Sequence, residues 1–180
     1  AKKLKLSKTE KLAEYRKFMS GLISYNSEYK DHYHDELLDV IEPIKKINFD
    51  LYRTEIAAIG ITLTGKYNEL AESLLTEYIE LTENFLNENQ QYIKNRLNSP
   101  LIRDNEDQTF EELRASHLIF AYASLANANL WLSHKEEFFK NQKHAIYYGE
   151  LIGYSTYHIL DQHIYLANEY SKIDMFFAIC

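Results

Sequence analysis

Histidines beside carboxylates are the first residues in this chain that could do chemistry. The stretch "HYHDE" sets His32, His34, Asp35 and Glu36 close together, and "HILDQH" does the same for His158, Asp161 and His163. Imidazole with carboxylate is a ligand set for a divalent metal. The spacings do not favour one. His32 and His34 fall near an expected turn, where exposed polar residues are routine. His158 and His163 stand five apart, which separates them by about 140° around a helix. No Glu-x-x-His pair of the di-iron kind occurs. The expectation is no metal and no cofactor.

Other reactive patterns fare no better. There is no glycine-rich phosphate cradle and no Gly-x-Ser-x-Gly nucleophile turn. Arg114 and His117 are three apart, too close for the Arg-x4–6-His spacing of helical ribonucleases. Cys180, the single thiol, stands at the last position, where helices fray. Glu77, Glu80 and Glu83 share helical spacing in a stretch without a basic residue from Tyr67 to Ile93. A solvated acidic face accounts for them better than a pair of catalytic acids. No catalytic residue is expected, and the protein is read as a non-enzyme.

The elements that position these side chains are helices. The chain has 180 residues with only 5 Gly and 2 Pro, too few for the many tight turns of a β-sandwich. Periodicity predicts helices from about Thr9 to Tyr29, from His34 with a kink at Pro43, over Phe49–Leu63, and from Asn68 to about Asn84, continuing toward Ser99-Pro100. Further helices are predicted over Phe110–Leu132, Glu136–Tyr148, Tyr154–Glu169 and Ser171–Ala178. Three Ser/Thr-x-x-Glu capping boxes open helical stretches: Ser7 with Glu10, Thr109 with Glu112, and Ser133 with Glu136. The fold class is all-α, one domain over 1–180, with a basic arm at 1–8 and a polar loop at 99–108.

Charge is uneven. Residues 1–17 carry seven Lys/Arg against Glu10 and Glu14, whereas the remaining residues carry 13 basic and 25 acidic side chains. An acidic body argues against nucleic acid as a partner. No apolar run reaches the roughly 20 residues of a membrane span. With a single cysteine and no signal-like segment, a cytoplasmic protein is the simplest reading.

Turn positions add a further pattern. Steps of about 34 residues, the period of tetratricopeptide hairpins, carry Gly65 to Asp31, Ser99, Ser133 and Ala167. The stretch "GKYNELAESLLTEYIEL" resembles the turn and second helix of such a repeat, with Gly65, Tyr67, Glu69 and Leu74 at matching places. Leu125 and Ala126 are similar to the first-helix pair of that family, and Ala145 to its small second-helix residue. The units around Ser99 and Pro43 depart from the pattern. The architectures in view are a tetratricopeptide-like α-solenoid and an irregular antiparallel bundle. A globin-like arrangement rests only on the Pro43-to-Phe49 spacing in "EPIKKINF".

Fifteen tyrosines complete the reading. Tyrosine joins broad apolar contact to a hydroxyl that tolerates water, which suits recognition surfaces. The expectation is a regulatory module that binds a protein or peptide, with a basic protein as one partner and self-association into a homodimer also in view. The resemblance implies a concave face lined by first helices, and Tyr92, Tyr122, Asn129 and His163 are the partner-binding residues it brings forward. The alternative is a sensor that holds an apolar small molecule among Phe120, Leu125, Trp131, Ile146 and Ile159.

Overall fold

The computed structural model describes residues 7–11, 13, 14, 17, 44–97, 108–169 and 171–180, and all regular structure among them is helical. A turn of helix at residues 44–47 leads to Asn48, whose Oδ1 accepts the Leu51 N–H at 3.0 Å and opens α1, Phe49–Leu63. Tyr52, Ile56, Ile59 and Leu63 recur every three or four residues and form the buried stripe of α1. Thr64 ends it, and Gly65 turns the chain in a left-handed conformation with φ +87°. The Asn68 Oδ1 accepts the Gly65 N–H at 2.7 Å, tying the turn to the start of α2, Asn68–Glu88.

Helix α2 buries Ala71, Leu74, Leu75, Tyr78, Ile79, Thr82 and Leu86. It stops at Asn89, and α3, Gln90–Leu97, follows. The side-chain amide of Asn89 donates to the Phe85 carbonyl at 2.8 Å, the local competition that makes asparagine a poor interior helix residue. That interruption replaces the single helix expected up to Ser99.

Helix α4, Phe110–Leu132, is the centre of the molecule. Every residue from Leu125 to Leu130 is buried, so the helix is enclosed on all sides at that level. Ala126 and Ala128 let neighbours approach closely there. α4 packs antiparallel to α2, where the Tyr78 hydroxyl donates to the His117 carbonyl at 2.9 Å, and antiparallel to α5, Lys135–Leu151. α6, Tyr157–Glu169, lies on α4, and α7, Ile173–Ile179, folds back on α6. One apolar cluster joins α1, α2, α4 and α5 and takes in Ile159 of α6. A second gathers Ala126 and Leu130 with Phe138, Ala167 and Met175. Enclosing side chains such as Ile56, Leu75, Leu118 and Ile119 contributes about 1.5–3 kcal/mol each.

Three helices close in the same way. Ser133, Gly153 and Ser171 adopt positive φ after α4, α5 and α6. In each case the next N–H reaches five residues back: His134 to Asn129, Tyr154 to Gly149, and Lys172 to Ala167. This Schellman closure satisfies carbonyls that the helix end would otherwise leave open. It also corrects the capping assignment at Ser133. Ser7 with Glu10 and Thr109 with Glu112 do exchange reciprocal hydrogen bonds. Ser133 instead terminates α4, and its hydroxyl receives the Lys172 ammonium. His134 holds the N-cap position of α5, and its side chain makes no capping hydrogen bond there.

Of the turn positions at intervals of 34, Gly65 and Ser133 are turns. Ala167 is a buried residue inside α6, and the chain reverses four residues later. Asp31, Ser99, the segment from His34 to Pro43 and most of the loop at 99–108 lie outside the described residues.

Candidate functional site

The hairpin of α4 and α5 carries a line of buried amides where apolar side chains would pack. Asn129 is 1% exposed, and its Oδ1 accepts the Asn141 Nδ2–H at 2.8 Å. The Asn129 Nδ2–H donates to Glu72 Oε1 on α2, which also lies 3.0 Å from His134 Nδ1. The imidazole N–H on that side serves as the donor to the carboxylate. Three helices are thereby joined by a directed chain, Asn141 to Asn129 to Glu72, with His134 closing it from the turn. Such bonds matter because a buried amide left without partners costs roughly 1–3 kcal/mol.

These side chains border an open hollow of about 290 Å³ between α2, α4 and α5. Thr76, Ile79 and Glu80 line it from α2, Tyr122 and Leu125 from α4, and Glu137 and Lys140 from α5. The Tyr122 ring stacks on His144 with centroids 4.7 Å apart. Burial, with the Glu83 carboxylate in support, raises the Tyr122 phenol above its ordinary range, so it stays a neutral donor and acceptor. The arrangement offers directional hydrogen bonding beside an apolar wall, with three carboxylates against one ammonium.

Of the four partner-binding residues expected from sequence, only Tyr122 and Asn129 meet here. Tyr92, 62% exposed, stands on α3 away from the hollow. His163 corrects the expectation: it is 0% exposed, enclosed beside Gln142 and Phe138, and presents nothing to a surface. The apolar set also divides. Phe120 and Ile159 line a second hollow of about 340 Å³, between the end of α1, α4 and the start of α6. Leu125 belongs to the first hollow, and Trp131 covers the Gly65 turn. Ile146 is half-buried on α5 and lines neither.

The acidic triplet on α2 is parted by its neighbours. Glu77 pairs with Lys45 at 3.0 Å and accepts the Tyr52 hydroxyl, Glu83 pairs with Arg114 at 3.1 Å, and Glu80 faces the hollow. Among the described residues, no three His, Cys, Asp or Glu side chains stand where they could hold a metal. His32, His34, Asp35 and Glu36 lie outside those residues. No described helix is long and apolar enough to cross a membrane.

Sequence reasoning missed Glu72, His134, Glu137 and Asn141. One signal pointed to them: Asn127 and Asn129 interrupt the apolar run "LANANLWL", and an asparagine there needs polar partners from adjoining helices. Comparisons with protein-family models, with curated proteins and with solved structures find no match for this chain.

Proposed function

We propose that the protein is a non-catalytic regulatory module, whose helical hairpins hold a protein or peptide partner in the hollow between α2, α4 and α5. The observation that carries this reading is the buried Asn129–Asn141 pair at an open hollow, beside Tyr122 and carboxylates. Amide side chains both donate and accept, which matches the alternating groups of a peptide backbone. Tyr122 adds aromatic area at low conformational cost. A surplus of acidic side chains favours a basic partner and speeds the encounter at low salt.

Selection of displayed peptides on the immobilised protein tests this. Enriched sequences are expected to bind wild type and to lose at least about ten-fold on Tyr122→Ala, a change at a half-buried position. Their association should slow as salt rises. Peptides that bind the variant unchanged would remove the hollow from the reading, and salt-independent association would remove the basic partner.

The second hollow favours one other reading, a sensor for an apolar small molecule. Phe120 is 53% exposed there, edge-on to Tyr154 with centroids 5.5 Å apart. Native mass spectrometry of the freshly purified protein separates the two. A bound small molecule supports the sensor, and its release by Phe120→Ala ties it to this hollow.

A further inference from the structure

Asn141 is 7% exposed, and its Nδ2 is committed to Asn129. Its Oδ1 accepts no hydrogen bond among the described residues, yet it is not sealed from solvent. The chain of bonds sharpens that oxygen. Glu72 draws on the Asn129 N–H, so the Asn129 carbonyl becomes more negative and draws in turn on the Asn141 N–H. The strengthened acceptor ends at the wall of the hollow, where it lacks a donor.

Charge around it is unbalanced in the same sense. Glu80 lines the hollow from α2 and Glu137 from α5, one helical turn before Asn141. Among the described residues neither has a cationic partner, and Lys140, the one cation of the lining, pairs with neither. Ile79, Leu125 and Tyr122 make the apolar part of the wall. A group that fits all three features has several N–H donors, a positive charge and a short methylene stem.

Resting on the binding reading above, we infer that this hollow is a subsite for an arginine side chain of the partner. The guanidinium donates to Asn141 Oδ1 and to the carboxylates of the two walls, while its methylenes lie along Leu125, Ile79 and Tyr122. Arginine fits better than lysine, because a planar five-donor fork can serve an amide oxygen and carboxylates on separate helices at once.

The test uses two capped tripeptides, acetyl-Gly-Arg-Gly-amide and its citrulline counterpart, which keeps the shape and loses the charge. Titrated by NMR into the full chain, the arginine peptide should shift the side-chain amide signals of Asn129 and Asn141 saturably. Citrulline should bind at least about ten-fold more weakly. Asn141→Leu should abolish the saturable shift at Asn129. Should that variant not fold, Glu137→Gln, at an exposed position, should weaken the arginine peptide several-fold and leave citrulline unaffected. Equal binding of both peptides overturns the arginine subsite but leaves the binding surface standing. No shift at millimolar arginine peptide, or shifts mapped elsewhere, also overturns it, and the displayed-peptide selection then decides the surface separately.

Discussion

Trp131 stands over Gly65: its indole Nε1 is 3.6 Å from where a Cβ at residue 65 would project. The last turn of α4 thus braces the reversal between α1 and α2, and the turn ends of the two hairpins lie together. The same antiparallel register brings Glu72 of α2 to Asn129 of α4. The turn and the hollow thus share one helix pair, α2 and α4, at the same end.

Gly65→Ala tests what that turn contributes to stability. A distance of 3.6 Å is ordinary contact, so the new methyl group has room. The cost lies in the backbone, because φ +87° is a conformation that alanine adopts at roughly 1–2 kcal/mol. Urea denaturation should show a loss of that size, with Gly65→Asn losing less. An unchanged midpoint for alanine would mean that the turn tolerates a side chain.

Gly60→Ala should destabilise for the opposite reason. In a helix interior alanine is favoured over glycine by about 1 kcal/mol. Here, however, the added Cβ would stand 2.7 Å from Leu75 Cγ, and Leu75 is fully enclosed. Overpacking of this kind costs about 1–3 kcal/mol, so the clash should outweigh propensity. Gly149→Ala meets Thr156 Cγ2 at 2.8 Å, but Thr156 is half-buried in a connecting turn and can yield. Its loss should be the smaller of the two by denaturation.

The tyrosine pair beside the hollow should resist alkali. Burial is the main reason that the Tyr148 and Tyr122 phenols titrate above their ordinary range, and the Glu83 carboxylate adds to it. A phenol with a raised folded value contributes stability in full below its unfolded pKa of about 10, and that stability falls as pH rises beyond it. Phenolate absorbance should show at least three fewer tyrosines ionising near pH 10 than in the unfolded chain, because burial and the bond to Glu77 raise Tyr52 as well. Tyr148→Phe should remove one of the delayed steps.

Helices were legible where a single physical cause fixes them. The bounds Phe49–Leu63 and Phe110–Leu132 follow from an asparagine or threonine cap at one end and a turn, at Gly65 or at Ser133, at the other. The Ser133 box misleads because Ser-x-x-Glu scores only a local pattern, whereas the left-handed backbone of Ser133 and the His134 N–H bond to the Asn129 carbonyl make it the close of α4. The hollow was half-legible. Tyr122 and Asn129 carried types suited to recognition, but Glu72 and Asn141 reach them across two other helices, and one helix's periodicity gives no register against another. His163 shows the same limit. An imidazole reads as a surface group unless the helices that enclose it are known.

That enclosed imidazole should make folding sensitive to mild acid. Gln142 Nε2 lies 3.2 Å from His163 Nδ1, which makes Nδ1 the acceptor and leaves the proton on Nε2. Burial pushes the His163 pKa down to about 4, against a small opposing effect of the Ala123 carbonyl. Unfolded, the same group titrates near 6.5. Between these values the unfolded chain binds more protons, so the stability from neutral His163 is complete above about pH 6.5. It is lost as pH falls toward 4, by on the order of 3 kcal/mol at the limit. Urea denaturation at pH 7.5 and pH 5 should therefore show wild type losing about 2 kcal/mol over that interval. His163→Gln, which keeps a polar neighbour for Gln142 and removes this titration, should start less stable at pH 7.5 and lose less than wild type by pH 5, the remaining loss coming from His117, whose pKa burial and Arg53 also lower. Parallel losses in the two proteins would mean that the acid-sensitive group lies elsewhere.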